Sequence, residues 1–558
     1  MKRTITTRMI QGCLAICAAA FMPDTALAAG DVAVHGSVSA DILFPEEDKE
    51  IGTEEYNSWI LFNTYADVNL YSRYVDAGLR FEFMRWPMPG YEKDFAGWGI
   101  PNIYVKGKYK GFELTAGDFY EQFGSGFILR TYEDRPLGID NSLRGGRLNI
   151  TALKGFKFTL LGGVQRHYWN WDKHSQIYGA NAETYLQDYM TALQDHNASW
   201  MIGASYVLHH EDDQQIDVPG VNYRLNLPKY VNAFDVRSSF NKGPWNVLGE
   251  FAWKGQDPNF NNGYTYGPGT AYLLSGSFSK KGISAMLQAK RSENMAFRSD
   301  RLTDGTAVFI NNMPAFSYNH TYALPALYPY STQTEGEWAF QGSFGYTFKR
   351  KTPLGGKYGT KISVDASYIS GLVASDNPQG INGGLIGTNG RDTYFWKIGA
   401  CNYYDINVQF EKRLSGPVQL NLMYAHQYYN NEVLKTVETD DDFVRANVVV
   451  ADVKYKINKK FTLRAEAQYL FTEQDQKDWA YGLVEFSWTP YLMISASDMW
   501  NCGETGRHYY MFGVTGNYRA NRLMIQYGRT RKGYNCSGGV CRPVPAMHGL
   551  MLTYSYNF

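Results

Sequence analysis

Period two governs this chain. From residue 32 onward, Val32, Val34, Gly36, Val38, Ala40, Ile42 and Phe44 share one face of an extended run, while Ala33, His35, Ser37, Ser39 and Asp41 share the other. The pattern returns in Trp338, Phe340, Gly342, Phe344, Tyr346 and Phe348, opposite Gln341, Ser343, Thr347 and Lys349. It returns again in Phe461, Leu463, Ala465, Ala467, Tyr469 and Phe471, opposite Thr462, Arg464, Glu466 and Gln468. Successive side chains of a strand point to opposite faces, so each run reads as a strand with one apolar and one polar, often charged, face. Two environments suit such strands: a sheet lying on a soluble core, or a barrel with lipid outside and water inside.

Length and connections decide between them. Many runs reach about 10 to 14 residues, beyond the roughly 5 to 6 usual in soluble sheets and enough for the roughly 9 to 11 that cross a bilayer. Short turns at 108–111, 154–156, 240–243, 280–282, 458–460 and 519–521 are interspersed with long polar loops at 87–99, 168–197, 291–335, 371–400 and 429–442. A soluble sandwich has no reason to sort its loops by length, whereas an outer-membrane barrel does. The expected fold is all-β: one large transmembrane antiparallel β-barrel with short periplasmic turns and long extracellular loops. Alternation identifies about 23 runs. Two consecutive long connections, at 168–197 and 209–229, break the rhythm, so a weak strand is expected around residues 215–225. An even count of about 24 strands (roughly 22 to 26) returns both ends to the periplasm.

Composition removes competing classes. After the N-terminus no stretch has the roughly 18 apolar residues of a spanning helix. Lys+Arg and Asp+Glu are both 54, so no basic footprint points to nucleic acid. Lys2, Arg3 and Arg8 precede an apolar run from Met9 to Phe21, and Ala26-Leu27-Ala28 follows. That is the layout of a secretory signal over residues 1–28, with the barrel from 29 to 558 and an outer-membrane destination. Its removal leaves 51 basic and 53 acidic residues. No N-terminal plug of a TonB-type receptor fits before the first strand. Of the four remaining cysteines, Cys536 and Cys541 flank Ser-Gly-Gly-Val and suit a disulfide in an oxidising compartment. Cys401 and Cys502 are candidates for a second bridge.

The chemistry concentrates between residues 119 and 148. Arg130, Glu133, Asp134, Arg135, Asp140, Arg144 and Arg147 carry charges of both signs, with Gly124, Gly126, Gly145 and Gly146 towards the two ends. Folded into the lumen, they would form a constriction. They would equally bind the loop to the wall through bidentate ion pairs, or remain on a solvated outer loop. Arg80 with Glu82, Lys106 with Lys108, and Arg464 with Glu466 alternate with apolar neighbours and are assigned inward, because a charge on the lipid face costs about 2 to 4 kcal/mol at midplane. No catalytic motif appears in its structural context, and neither an enzyme nor a cofactor is expected. The runs His209-His210-Glu211-Asp212-Asp213 and Thr439-Asp440-Asp441-Asp442 read as hydrated loop ends ahead of metal sites. Residues 379–390 read as a flexible outer loop.

Residues 121–140, with Tyr403-Tyr-Asp-Ile-Asn407 and Val540-Cys-Arg-Pro-Val-Pro545, resemble an uncharacterised family of outer-membrane barrel proteins. The resemblance implies location and fold, and it carries no activity. Leu550, Leu552, Tyr554, Tyr556 and Phe558 alternate to the last residue and resemble the signal read by the barrel-assembly machinery. The expected function is a porin-like passive channel for small polar solutes, narrowed by the inward loop. A loop-plugged accessory barrel of a secretion or assembly complex is the other expectation. The expected partners are outer-membrane lipid, the assembly machinery and, for that second reading, a secretion complex.

Overall fold

The computed structural model describes residues 32–217, 224–303, 308–375, 393–435 and 437–558. The expected signal at 1–28 and the loop at 379–390 lie outside the described residues. Twenty-four antiparallel strands form one sheet, each hydrogen-bonded to its neighbours along the chain. The first strand, Val32–Pro45, closes the barrel against the last, Met547–Asn557, with Val38 opposite Tyr556 and Ile42 opposite Leu552. A stub at Asn170–Trp171 pairs only with Arg166 and His167 and adds no strand to the wall. In a closed sheet every strand finds a partner on both sides, which satisfies the backbone where the bilayer offers no water.

The two faces sort as alternation requires. Leu79, Phe81, Ile103, Val105, Ile406, Val408, Leu523 and Ile525 are exposed on the outer surface. On the inner wall Lys108 reaches Asp76 at 2.7 Å and Arg464 reaches Asp452 at 3.0 Å, while Lys106 lines a cavity inside the barrel.

The count of 24 holds, but the weak strand lies elsewhere than expected. It is Ser175–Tyr185, inside the segment 168–197, and it pairs with Phe156–His167 on one side and Ala198–Glu211 on the other. Gly179, Ala180 and Ala182 blunt the apolar signal of its faces, and the inward Asn181 and Glu183 are held by Arg237 at 2.6 and 2.8 Å. Around the expected place, Gln214–Asp217 pairs only with Arg224–Leu227, in a long loop off the wall. The strand Thr393–Arg413 runs for 21 residues and takes up the C-terminal part of the expected loop 371–400.

Candidate functional site

Barrel width sets the problem of the interior. Sixteen to eighteen strands leave an aqueous channel, and about 22 enclose a lumen that needs a plug. Here the lumen of 24 strands is occupied by two of the chain's own loops, 120–142 and a second one described over 294–303 and 308–335, with a disulfide-bonded hairpin over them.

The first loop leaves the strand Phe112–Phe119 and returns into Leu143–Ile150. Its tip reaches the strand Trp245–Lys254, where Glu250 accepts from the Ser125 N–H at 3.0 Å and from its hydroxyl at 2.7 Å. Gly124 permits this approach: its φ is +52°, and a Cβ there would stand 2.5 Å from a Glu250 carboxylate oxygen. At the opposite end Arg135 donates to Ser39 at 3.0 Å and to Asp67 at 3.1 Å, on the first two strands. Between these anchors Phe123, Phe127, Ile128 and Leu129 are fully buried against Phe297, Ile310 and Met313 of the second loop. Backbone bonds join the two loops, from Arg130 to Ile310 at 2.9 Å and from Asn312 to Gly126 at 3.1 Å. The barrel therefore holds an apolar core of its own within a polar wall.

The charged candidates form an interleaved network. Arg80 donates to Asp67 at 2.7 Å, to Glu133 at 2.7 Å and to Asp140 at 3.2 Å. Arg166 donates to Glu82 at 2.8 Å and to Asp140 at 2.6 Å. Glu133 also accepts from Arg135. Asp134 instead caps the short turn Arg135–Leu137 by accepting from the Leu137 N–H. Arg130 stacks over Tyr132, whose phenol burial pushes up to about 12. Arg144 and Arg147 belong to the wall strand Leu143–Ile150, so the loop proper is 120–142; they pair with Asp118 at 2.7 Å and Glu121 at 3.1 Å. Arg80, Glu133, Arg135, Asp140 and Arg166 are therefore neutralised by contact, with loop and wall charges alternating.

The second loop goes deeper. Gln165 donates to its Phe309 carbonyl at 2.9 Å, Asp405 pairs with its His320 at 2.7 Å, and Gln427 donates to its Pro325 carbonyl at 2.9 Å. Tyr322 reaches Asp452 at 3.4 Å, four residues from the turn end of the strand Phe443–Lys456. The hairpin Gly533–Ser537 with Val540–Val544 closes the outer end, stapled by Cys536–Cys541 with an S–S distance of 2.02 Å. Gly539 accepts from the Thr332 N–H at 2.9 Å, and Asn535 donates to the Pro136 carbonyl at 3.0 Å, so the hairpin ties the loops to each other.

Three readings of the residues are corrected. Cys401 and Cys502 are free. Cys401 lies in the strand Thr393–Arg413, and Cys502 follows Leu492–Asn501 five strands further round, where its thiol lies 3.7 Å from the Tyr469 hydroxyl. The His209–Asp213 run is not a hydrated turn as a whole. His209 and Glu211 end the strand Ala198–Glu211 and are buried, with Ser175 2.9 Å from His209 and Arg301 3.2 Å from Glu211, while Asp212 pairs with His174 at 2.6 Å outside. Among the described residues no group of three His, Cys, Asp or Glu side chains is placed to hold a metal ion. Asp440, Asp441 and Asp442 lie on an exposed loop. The third correction is the plug itself: alternation identified the loop 291–335 only as long and polar. Its run Tyr322-Ala-Leu-Pro-Ala-Leu-Tyr-Pro-Tyr330, with Phe297, Ile310, Met313 and Phe316, is too apolar for a solvated loop.

Fold and interior together define a class: a transmembrane β-barrel whose lumen is filled by inward loops. Residues 4–558 match the family described as a family of unknown function, DUF6029, and the chain belongs to that family. No curated protein matches it. Among solved structures, the siderophore receptor PirA from Pseudomonas aeruginosa is 9% identical, covers 94% of this chain and 80% of its own, and has a TM-score of 0.40. The P pilus usher (PapC) translocation pore is 8% identical, with 94% and 99% covered and a TM-score of 0.39. OccAB3 from Acinetobacter baumannii is 9% identical, with 95% and 99% covered and a TM-score of 0.34.

Proposed function

We propose that the protein is an outer-membrane channel for small polar solutes, narrowed by the loop 120–142 and opened when that loop moves. One observation carries this reading. Beside the loop lies a polar cavity of about 300 Å³ lined by Asp67, Arg80, Asn102, Lys106, Asp118 and Arg147, a wall of both charge signs that suits hydrated solutes and not a permanent seal. The loop's anchors to that wall are ion pairs and hydrogen bonds. The accessory-barrel reading draws on a different observation, the fully buried core of Phe127, Ile128, Leu129 and Phe297 inside the lumen. Outer-membrane lipid around the belt, and the assembly machinery at the last strand, are the partners proposed under either reading.

Conductance of the refolded barrel in a planar bilayer separates them. The comparison is a variant in which residues 124–141 are replaced by a short Gly-Ser link. The excision stops there because Leu143–Ile150 is wall. A conducting wild type whose conductance rises in the variant supports the channel. A silent wild type that opens only in the variant moves the reading to a plugged accessory barrel. Silence from both folded proteins overturns the channel.

A further inference from the structure

The lumen holds a second cavity, of about 320 Å³, between the second loop and the disulfide hairpin. Six rings line it: Tyr318, His320, Tyr328, Tyr330, Tyr403 and Tyr534. Among the described residues no Lys, Arg, Asp or Glu side chain lines it. Three of the rings turn their polar protons away, toward carboxylates behind them. Tyr328 donates to Asp475 at 3.2 Å, Tyr330 donates to Glu337, and His320 Nε2 lies 2.7 Å from Asp405. Burial and these carboxylates push the Tyr328 and Tyr330 phenols up, which keeps them donors.

Tyr328, Tyr330, Tyr403 and His320 are almost fully enclosed and form the cavity's walls, while the half-buried Tyr318 and Tyr534 keep ring surface open to it, together with a few neutral polar groups. Asn319, Asn535 and Ser537 add uncharged donors and acceptors. An ionic solute would find no opposite charge on this lining, and a lipid chain would leave the amides unpaired. A hydroxyl-rich ring satisfies both halves: its C–H faces lie on tyrosine rings and its hydroxyls meet the neutral polar groups. The volume is near the lower bound of about 300 Å³ for ligand pockets, which suits one or two sugar rings.

We propose that this cavity binds a neutral saccharide of one or two rings, held between the second loop and the disulfide hairpin. The assignment deepens the channel reading by giving the solute its class, and binding is measured independently of conduction.

The test is calorimetric titration of the full-length barrel, folded in detergent, with glucose, maltose, cellobiose and N-acetylglucosamine, alongside choline and benzoate. Saturable binding of at least one sugar is expected, weakened about tenfold by Tyr534→Ala, the loss of one stacked ring, and weakened also by Tyr318→Ala, the loss of the other. Should either variant fail to fold, protection of Tyr534 from nitration by the same sugar on the wild-type protein gives the answer. Binding of choline in place of sugars overturns the proposal in favour of an aromatic cage for organic cations. Absence of saturable sugar binding at millimolar concentration overturns it outright, whatever the conductance. Sugar binding by a non-conducting barrel leaves it standing while the channel reading falls.

Discussion

Arg166, which the charge pattern did not single out, joins Arg80 in anchoring the loop to the wall. Its guanidinium, 1% exposed, is shared among Glu82, Asp140 and the Tyr168 carbonyl, the last at 2.6 Å. Breaking a buried ion pair by removing one partner costs about 3 to 5 kcal/mol, because the other charge stays buried and uncompensated. Arg166→Met is therefore expected to lower the denaturant midpoint and to expose residues 120–142 to protease. Arg166→Lys is expected to fall between, since a single ammonium cannot reproduce the fork. Unchanged cleavage of the loop in Arg166→Met would refute the anchoring role. The acidic half of this contact was legible in the sequence: Asp140 stands in a charged segment between glycines. Arg166 was not. Along Phe156–His167, alternation puts it on the outward side with Leu160 and Val164. The wall pairing to Leu143–Ile150 ends at Gln165, however, and beyond that point the chain turns off the wall, with Tyr168 packed edge-on against Phe95. Period two assigns faces only where a strand has neighbours on both sides.

Among the elements, the hairpin Gly533–Ser537 with Val540–Val544 shows how far spacing alone reaches. Four residues between two cysteines, two of them glycine, disclose the staple. They do not disclose that its tip lies against Thr332 while Asn535 touches Pro136, because those contacts join segments more than 200 residues apart. In the chain-entropy account, closing so short a loop contributes about 2 kcal/mol. Cys536→Ser with Cys541→Ser is expected to leave the wall intact, since the barrel closes through Met547–Asn557 independently of it. The loss belongs on the lid: amide exchange at Thr332, which donates to Gly539, should accelerate while the amides of Thr393–Arg413 stay protected. Equal acceleration in lid and wall would show that the hairpin stabilises the whole barrel. The second loop was legible only in its length. Its length marked it as extracellular, yet its tyrosines, prolines and leucines mark it as buried, and only a lumen of this width gives such a segment somewhere to go.

For the molecule as a whole, strand number and sidedness followed from alternation and parity, because both are consequences of closing a sheet in lipid. The contents of the lumen did not, since alternation constrains a wall and leaves a loop free. Closure itself rests on one seam. Phe558 exchanges backbone bonds with Gly36 in both directions, each at 2.9 Å, and its ring lies where a Gly36 side chain would be: a Cβ there would meet the ring at 2.1 Å. The backbone of Gly36 makes no unusual demand, so the requirement is purely for space. Gly36→Val must displace the terminal ring, with loss of burial and of the last rung joining the first and last strands. The remaining register, Ser37 to Pro45 against Asn557 to Gly549, would persist. The variant is therefore expected to form a barrel that opens at lower temperature, read as an earlier loss of the compact folded band on heating in detergent. Gly36→Ala should show the same effect more weakly, and Phe558→Ala combined with Gly36→Val should recover part of the loss, because the clash is gone even though the ring is not restored. If the double variant is no better than Gly36→Val alone, the steric account of the seam is wrong, and the glycine acts through the flexibility of the first strand.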